Sequence, residues 1–296
     1  MSKIKLIADS ACDIPLEIEA KIPFLTIINL RIAMNGSEYR DRIEITSQKI
    51  FDAVAAGAEL PRHAHATPLE YLQQFAAAAR EGYSDLICIA INSQGSGGYD
   101  ASLQAKKLFP EEYPELAGKI NIRCVDSHTY ALGIGMGILL AAERIKNGAT
   151  ADEIYDFLVD HYDNQTTVIG LYALGYAKKS GRLSSTAAFV GDVLGLKPYM
   201  YVAGENKVID KVRGDKNLAP RMAAFYASDA VDFDLEYGIA YGDDAARAHE
   251  LAEAIQKAGG KPPYCIFPIG SAIAINSGPK MVGFAYRSKN HHVKKA

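Results

Sequence analysis

Three short apolar runs, each followed by small polar residues, constrain this chain more than any other feature of it. Residues 3–8 (KIKLIA), 85–91 (DLICIAI) and 120–125 (INIRCV) are too short for buried helices and read as buried strands. Between them lie segments of helical spacing. Over 69–79, Leu69, Leu72, Phe75, Ala76 and Ala79 fall on one face. Thr67-Pro68-Leu69-Glu70 opens that helix as a capping box with proline at the first helical position. Strands alternating with helices predict a parallel sheet covered on both faces.

The texture changes further along. Residues 129–147 predict a helix that is apolar on nearly every side, closed by Asn147-Gly148, and Thr150-Ala151-Asp152-Glu153 caps the next one. Strands are then expected at 166–171, 199–203 and 207–212, the last two joined by a Gly204-Glu205-Asn206 turn. A helix over 243–257 and strands near 264–267 and 282–286 complete a mixed α+β unit. The expected organisation is an α/β protein. A Rossmann-like parallel-sheet domain (1–162) precedes an α+β domain (163–288), with the ligand between them and a basic tail at 289–296.

A length of 296 residues suits two domains, and 49% hydrophobic with 23% charged residues is an ordinary globular balance. A net charge of -3 offers no basic face for nucleic acid, so Lys289, His291, His292, Lys294 and Lys295 read as a solvated tail. Cys12, Cys88, Cys124 and Cys265 form no CxxC pair, which fits reduced thiols and a cytoplasmic setting. The apolar stretch 131–142 is too short to cross a membrane, and the N-terminus lacks a signal sequence.

Chemistry is expected at the strand ends: Asp9-Ser10-Ala11-Cys12-Asp13, the NSQGSGGYDAS loop after Ile91, and DSHTY after Val125. In an open parallel sheet, ligands gather outside the carboxyl ends of strands, where unpaired helix N-terminal amides favour an anion. Ser93, Ser96, Gly97 and Gly98 form a candidate cradle, although such loops also serve as plain tight turns. Asp9 and Asp126 read as N-caps or turn formers ahead of acid/base or metal-binding carboxylates. His63 and His65 would point the same way in an extended stretch, but no third metal ligand accompanies them. A polar loop, or one ring bonding an anionic ligand, is the favoured reading there. KKSGRLS reads by default as a solvated helix end, with Arg182 a second anion-facing candidate only if it faces the cleft, and Asn276-Ser277-Gly278-Pro279 reads as an ordinary turn whose amide could reach the same place. Neither GK[ST] nor GxSxG occurs, so no cofactor is implied.

Taken in order, ADSACDIP, INSQGSGGYDAS, VDSHTYALGIG, KKSGRLS with VLGLKPYM, KVRGDK and the late SGP turn resemble the DegV family over nearly the whole chain. The resemblance implies one long-chain fatty acid between two domains, its tail in an apolar tunnel and its carboxylate at the serine-glycine loop. Members of the family act as the lipid-carrying, non-catalytic subunit of a fatty acid kinase. They present the carboxylate to a separate ATP-dependent subunit that makes the acyl phosphate.

Carried over by position, Ser96 and Gly97 match the family's Ser-Gly, Ser93 a serine just before it, and Arg182 the arginine of its GR motif. His63-Ala64 stand where the family usually has Thr-Ser, and Asn276 where a histidine precedes the GPG turn. Gly95, Gly98 and Lys280 replace a leucine, a threonine and a glycine. His63 and Asn276 are therefore changed head-group positions. Compensation by His63, a changed ligand, or lipid binding without phosphorylation all remain open at this stage. Two other readings stand beside the resemblance: a regulatory module for another small anion, and a hydrolase using Ser96 with His63 as base.

Overall fold

The computed structural model of the chain describes residues 3–181, 195–202 and 207–289. Its first part runs β1 (Ile4–Asp9), α1 (Leu16–Glu19), β2 (Leu25–Ile28), β3 (Arg31–Met34), β4 (Ser37–Arg40), α2 (Ser47–Ala55) and β5 (Arg62–Ala64). Next come α3 (Pro68–Arg80), β6 (Asp85–Ala90), α4 (Gly98–Glu112), β7 (Asn121–Asp126), α5 (Leu132–Lys146) and α6 (Ala151–Asn164). The remainder is β8 (Gln165–Leu171), α7 (Gly175–Lys179), β9 (Leu196–Tyr201), β10 (Lys207–Arg213), α8 (Leu218–Asp229) and β11 (Gly238–Tyr241). The last elements are α9 (Ala245–Lys257), β12 (Cys265–Pro268), α10 (Ser271–Ser277) and β13 (Met281–Arg287).

The expected parallel sheet is present, in the order β2-β1-β6-β7 with every neighbouring pair parallel. All six residues of β1 are buried, because helices cover both sides of a central strand. A second, mixed sheet has the order β10-β9-β8-β13-β11-β12 and is antiparallel except between β11 and β12. A third sheet, β4-β3-β5, was not read from the sequence. Its strands are three or four residues long and mostly exposed, too short and too polar to show a period.

The capping boxes form as expected. Thr67 Oγ1 accepts from the Glu70 amide at 3.2 Å while Glu70 Oε2 accepts from the Thr67 amide at 2.8 Å, and Thr150 with Glu153 repeats the pattern. Leu69, placed on the apolar face by periodicity, is instead 59% exposed. It lies in the first turn of α3, and the buried stripe is completed by Tyr71. The helix expected from residue 129 begins at Leu132. His128 (φ 52°) and Ala131 (φ 55°) are left-handed and cannot belong to a right-handed helix.

α5 is the wedge between the two large sheets. A Cβ at Gly135 would lie 2.5 Å from the Cys12 carbonyl, behind the parallel sheet. A Cβ at Gly133 would lie 2.7 Å from Thr167 Oγ1 on the mixed sheet. The helix approaches both partners at backbone distance, which only glycine allows.

Candidate ligand cavity

Period-2 alternation assigns the two faces of the mixed sheet. Val168, Val282, Phe284 and Tyr286 pack in a core with Leu218, Met222 and Ile239, residues of α8 and β11. Thr167, Ile169 and Leu171 of β8 and Met281, Gly283 and Ala285 of β13 line a cavity on the other face. The strands are in register there, with Met281 opposite Leu171, Gly283 opposite Ile169 and Ala285 opposite Thr167.

Ala131, Leu132, Ala177, Ala240 and Ala272 contribute further wall. Side chains this small cannot meet across the layer, and a space of about 620 Å³ is left. That lies in the range of small-molecule sites, roughly 300–1,000 Å³. Thr129 Oγ1 and Thr167 Oγ1 bond each other at 2.9 Å, so the Thr167 hydroxyl has a protein partner without water.

The lining also includes a set of polar residues. His63 comes from β5, Gln94, Gly95 and Ser96 from the loop between β6 and α4, Tyr130 from the loop before α5, and Asn276 and Ser277 from α10. Ser96 is held by its own amide, which donates to the Asn92 carbonyl at 3.1 Å. Its Oγ accepts from the Gly98 amide at 3.4 Å, and as an acceptor there the hydroxyl keeps its proton for another partner. α4 begins at this loop with Gly97 as N-cap, so its positive dipole end adds to the preference for an anion.

The structure brings His63, Ser96 and Asn276 to one cavity, and it does not bring Ser93 or Gly97 to the lining. The Ser93 amide is bonded to the Asp126 carboxylate at 3.2 and 3.3 Å. Gly97 lies against a histidine: a Cβ there would come within 2.7 Å of His65 Nε2. His65 Nδ1 is 3.0 Å from the Ala66 carbonyl, which can only accept, so Nδ1 carries the proton. His63 and His65 therefore do different things, and no cluster of three or more His, Cys, Asp or Glu placed to hold a metal ion occurs among the described residues.

Asn276 belongs to the last turn of α10 and not to the turn expected there; its Nδ2 donates to the Ala272 carbonyl at 2.9 Å. The helix ends at Ser277, and Gly278 (φ 75°) follows as its C-cap. Arg182 lies outside the described residues, as do Ser184, the Gly204-Glu205-Asn206 turn and tail residues 290–296. Gly181, the residue before Arg182, lines the cavity.

The two strand-end aspartates hold turns together, as their positions suggested. Asp9 Oδ1 accepts from the Ala11 amide at 2.9 Å and Oδ2 from Tyr71 Oη at 3.2 Å. Burial pushes its pKa up to about 6 against these hydrogen bonds. Burial also opposes ionisation of Asp126, but bonds from His128 and Ser93 outweigh it and hold the carboxyl below the usual range. Cys12, Cys88 and Cys124 are buried free thiols. Sequence reasoning missed Tyr130, Gln94 and the Thr129–Thr167 pair. An aromatic residue directly after a polar strand end, as in DSHTY, was the available signal for the first of these.

Two sheets with a glycine-bearing helix between them leave a cavity lined by apolar side chains and by a cluster of polar groups. The chain belongs to the DegV family, whose model matches residues 3–289. A DegV domain-containing protein of Caldanaerobacter subterraneus subsp. tengcongensis is 27% identical over 98% of this chain and 100% of its own length. Among solved structures, a DegV family protein from Thermus thermophilus described as fatty acid binding superposes with a TM-score of 0.83 at 25% identity, over 96% of this chain and 99% of that one. A stearic acid-binding protein from Eubacterium ventriosum has the same fold, with a TM-score of 0.83 at 23% identity over 98% and 99% of the two chains. No helix among the described residues is long and apolar enough to cross a membrane.

Proposed function

We propose that this chain binds one long-chain fatty acid, with its acyl tail against the small side chains of β8, β11 and β13. Its carboxylate lies among Ser96, His63 and Asn276. The observation that carries the reading is the cavity itself: about 620 Å³, half of its lining residues alanine, leucine, isoleucine or methionine, and including those three polar residues. Burying methylenes stabilises by roughly 0.8 kcal/mol each, so a tail that fills such a space supplies the affinity. A carboxylate leaving water needs donors, and a serine hydroxyl, an imidazole and an amide provide them. The description of the Thermus thermophilus relative as fatty acid binding supports the same reading. A short polar anion would leave most of this wall uncovered, which disfavours a module for small anions.

The division into units at 1–162 and 163–288, with a tail beyond, belongs to this proposal. It falls at the end of α6, where the chain passes directly into β8. Ser93 and Gly97 act from behind, shaping the loop that presents Ser96; Arg182, which lies outside the described residues, enters the proposal only as the arginine of the family's GR motif. The bound carboxylate is presented to a separate ATP-dependent kinase subunit, which forms the acyl phosphate, and the chain itself performs no chemistry. Mass spectrometry of lipid extracted from the purified, denatured protein tests the binding. Near-stoichiometric fatty acid is expected; no lipid, together with no uptake of added fatty acid, refutes the reading.

A further inference from the structure

Two threonine hydroxyls meet at the cavity wall and together carry one more proton than their mutual bond uses. Thr129 Oγ1 and Thr167 Oγ1 stand 2.9 Å apart, and either can donate to the other. One donates and the other accepts, so the accepting hydroxyl keeps its own proton. Among the described residues no second partner reaches either oxygen. Burial decides where the spare proton sits. Thr129 is 3% exposed and does not line the cavity, so a proton left on it would face protein with no acceptor, which costs stability. Thr167 does line the cavity, where a guest can accept. The favoured arrangement has Thr129 donating to Thr167 and the Thr167 hydroxyl donating into the cavity.

Gly133 covers the pair from behind. A Cβ there would lie 2.5 Å from Thr129 Oγ1 and 2.7 Å from Thr167 Oγ1, so the bare backbone of α5 sits against both oxygens. Thr167 also lies apart from the helix that carries Asn276. Ile273 and Ala274 of α10 pack with Leu171 and Met281, whereas Thr167 is four residues back along β8, roughly 13 Å at the usual rise. Its neighbours on the cavity wall are Ile169, Ala285 in register opposite it, and Val202, whose amide donates to the Thr167 carbonyl at 2.9 Å. All three side chains are apolar. A saturated tail lying there would leave the hydroxyl unmatched.

We infer that Thr167 recognises an oxygen carried on the acyl chain, which makes the preferred ligand a hydroxy or oxo fatty acid. The assignment rests on the fatty-acid reading above and narrows it to a ligand class. A site that hydrogen-bonds a ligand oxygen discriminates against the analogue lacking it, because the buried donor is then left bare. Thr129 and Gly133 are positioning residues here, one orienting the Thr167 hydroxyl and the other leaving room for the pair.

The test titrates the delipidated protein with octadecanoate and with monohydroxyoctadecanoates in which the hydroxyl is moved along the chain. At one position, or two adjacent ones, the hydroxy acid should bind about tenfold more tightly than octadecanoate. Thr167→Val, which keeps the shape and removes the hydroxyl, should erase that gain and bring the two acids within about threefold of each other. Thr167→Ser, which keeps a hydroxyl, should retain the gain at the same position. No gain at any position overturns the assignment, while binding of octadecanoate leaves the fatty-acid reading intact. A gain that persists in Thr167→Val also overturns it. So does a Thr167→Val loss confined to octadecanoate and absent for octadecanol, which would move the hydroxyl to the carboxylate. Failure of the unsubstituted protein to bind any of these acids overturns the fatty-acid reading and this assignment with it.

Discussion

Lengthening a saturated fatty acid one carbon at a time probes the cavity directly. Each methylene moved from water to the apolar wall is worth roughly 0.8 kcal/mol, close to a fourfold gain in affinity. Ordering the added torsion offsets part of that gain, so a two- to fourfold gain per carbon is the working expectation. The gain must stop when the space is full. A methylene needs about the 30 Å³ that a water occupies in its liquid, so 620 Å³ holds roughly twenty such groups. Allowing for the carboxylate, the plateau should come at about eighteen carbons.

Competition of decanoate through docosanoate against a fluorescent fatty acid, on delipidated protein and below micelle-forming concentrations, reads the slope and the break. Ala240→Phe adds about 100 Å³ of side chain to the wall and should bring the break down by roughly three carbons. Affinity independent of length over the shorter acids would refute the placement of the tail. A slope that continues unbroken through docosanoate, or a break unmoved by Ala240→Phe, would refute the chamber as its limit.

The remaining predictions concern the head group, proton linkage and packing. Ser96→Ala should reduce palmitate affinity by about tenfold with an unchanged thermal midpoint, as read by calorimetry; an unchanged affinity would remove Ser96 from the head-group site. Asp9 has a folded pKa raised from 3.8 to about 6, so its contribution is fully present below pH 4 and is lost as pH rises through 6. Asp9→Asn mimics the protonated form and should gain on the parent by about 2.5 kcal/mol between pH 4 and pH 8 in urea titrations. A gap that ignores pH or has the opposite sign would sink that account. His161, buried and pushed down to about 4, has the reverse linkage and loses its contribution as pH falls from 6.5 through 4. Comparing the Asp9 variant with its parent cancels that background. Gly135→Val should cost about 3 kcal/mol or more by urea denaturation, because its side chain meets the Cys12 backbone; a loss below about 1 kcal/mol would mean that α5 can shift.

How much of this was legible in the sequence follows from how local each signal is. Capping boxes at Thr67 and Thr150 lie within four residues, and both formed as read. Buried parallel strands show as uninterrupted apolar runs, so β1, β6 and β7 were visible within a residue or two. The short strands β3, β4 and β5 carry no period, yet β5 places His63 at the cavity. Ser96 was found through its loop and Asn276 through its place in the chain. Asn276 was given the wrong local structure because Ser-Gly-Pro suggests a turn one residue earlier than the helix ends. For Tyr130 the DSHTY pattern signals only an aromatic residue after a strand end, since its exact place depends on a missing side chain at 95, thirty-five positions away. Contacts of that kind exist only after the loops have met.

Alternation along β8 and β13 has a consequence for how such a protein can change. Odd-numbered positions from 167 to 171 and from 281 to 285 line the cavity, while Val168 and Val282 pack in the core on the other face of the sheet. Substitutions that reshape the cavity can therefore accumulate on one side of the sheet without disturbing what keeps it folded on the other. A lineage could reshape the cavity through small steps at these positions, with each intermediate still a stable protein.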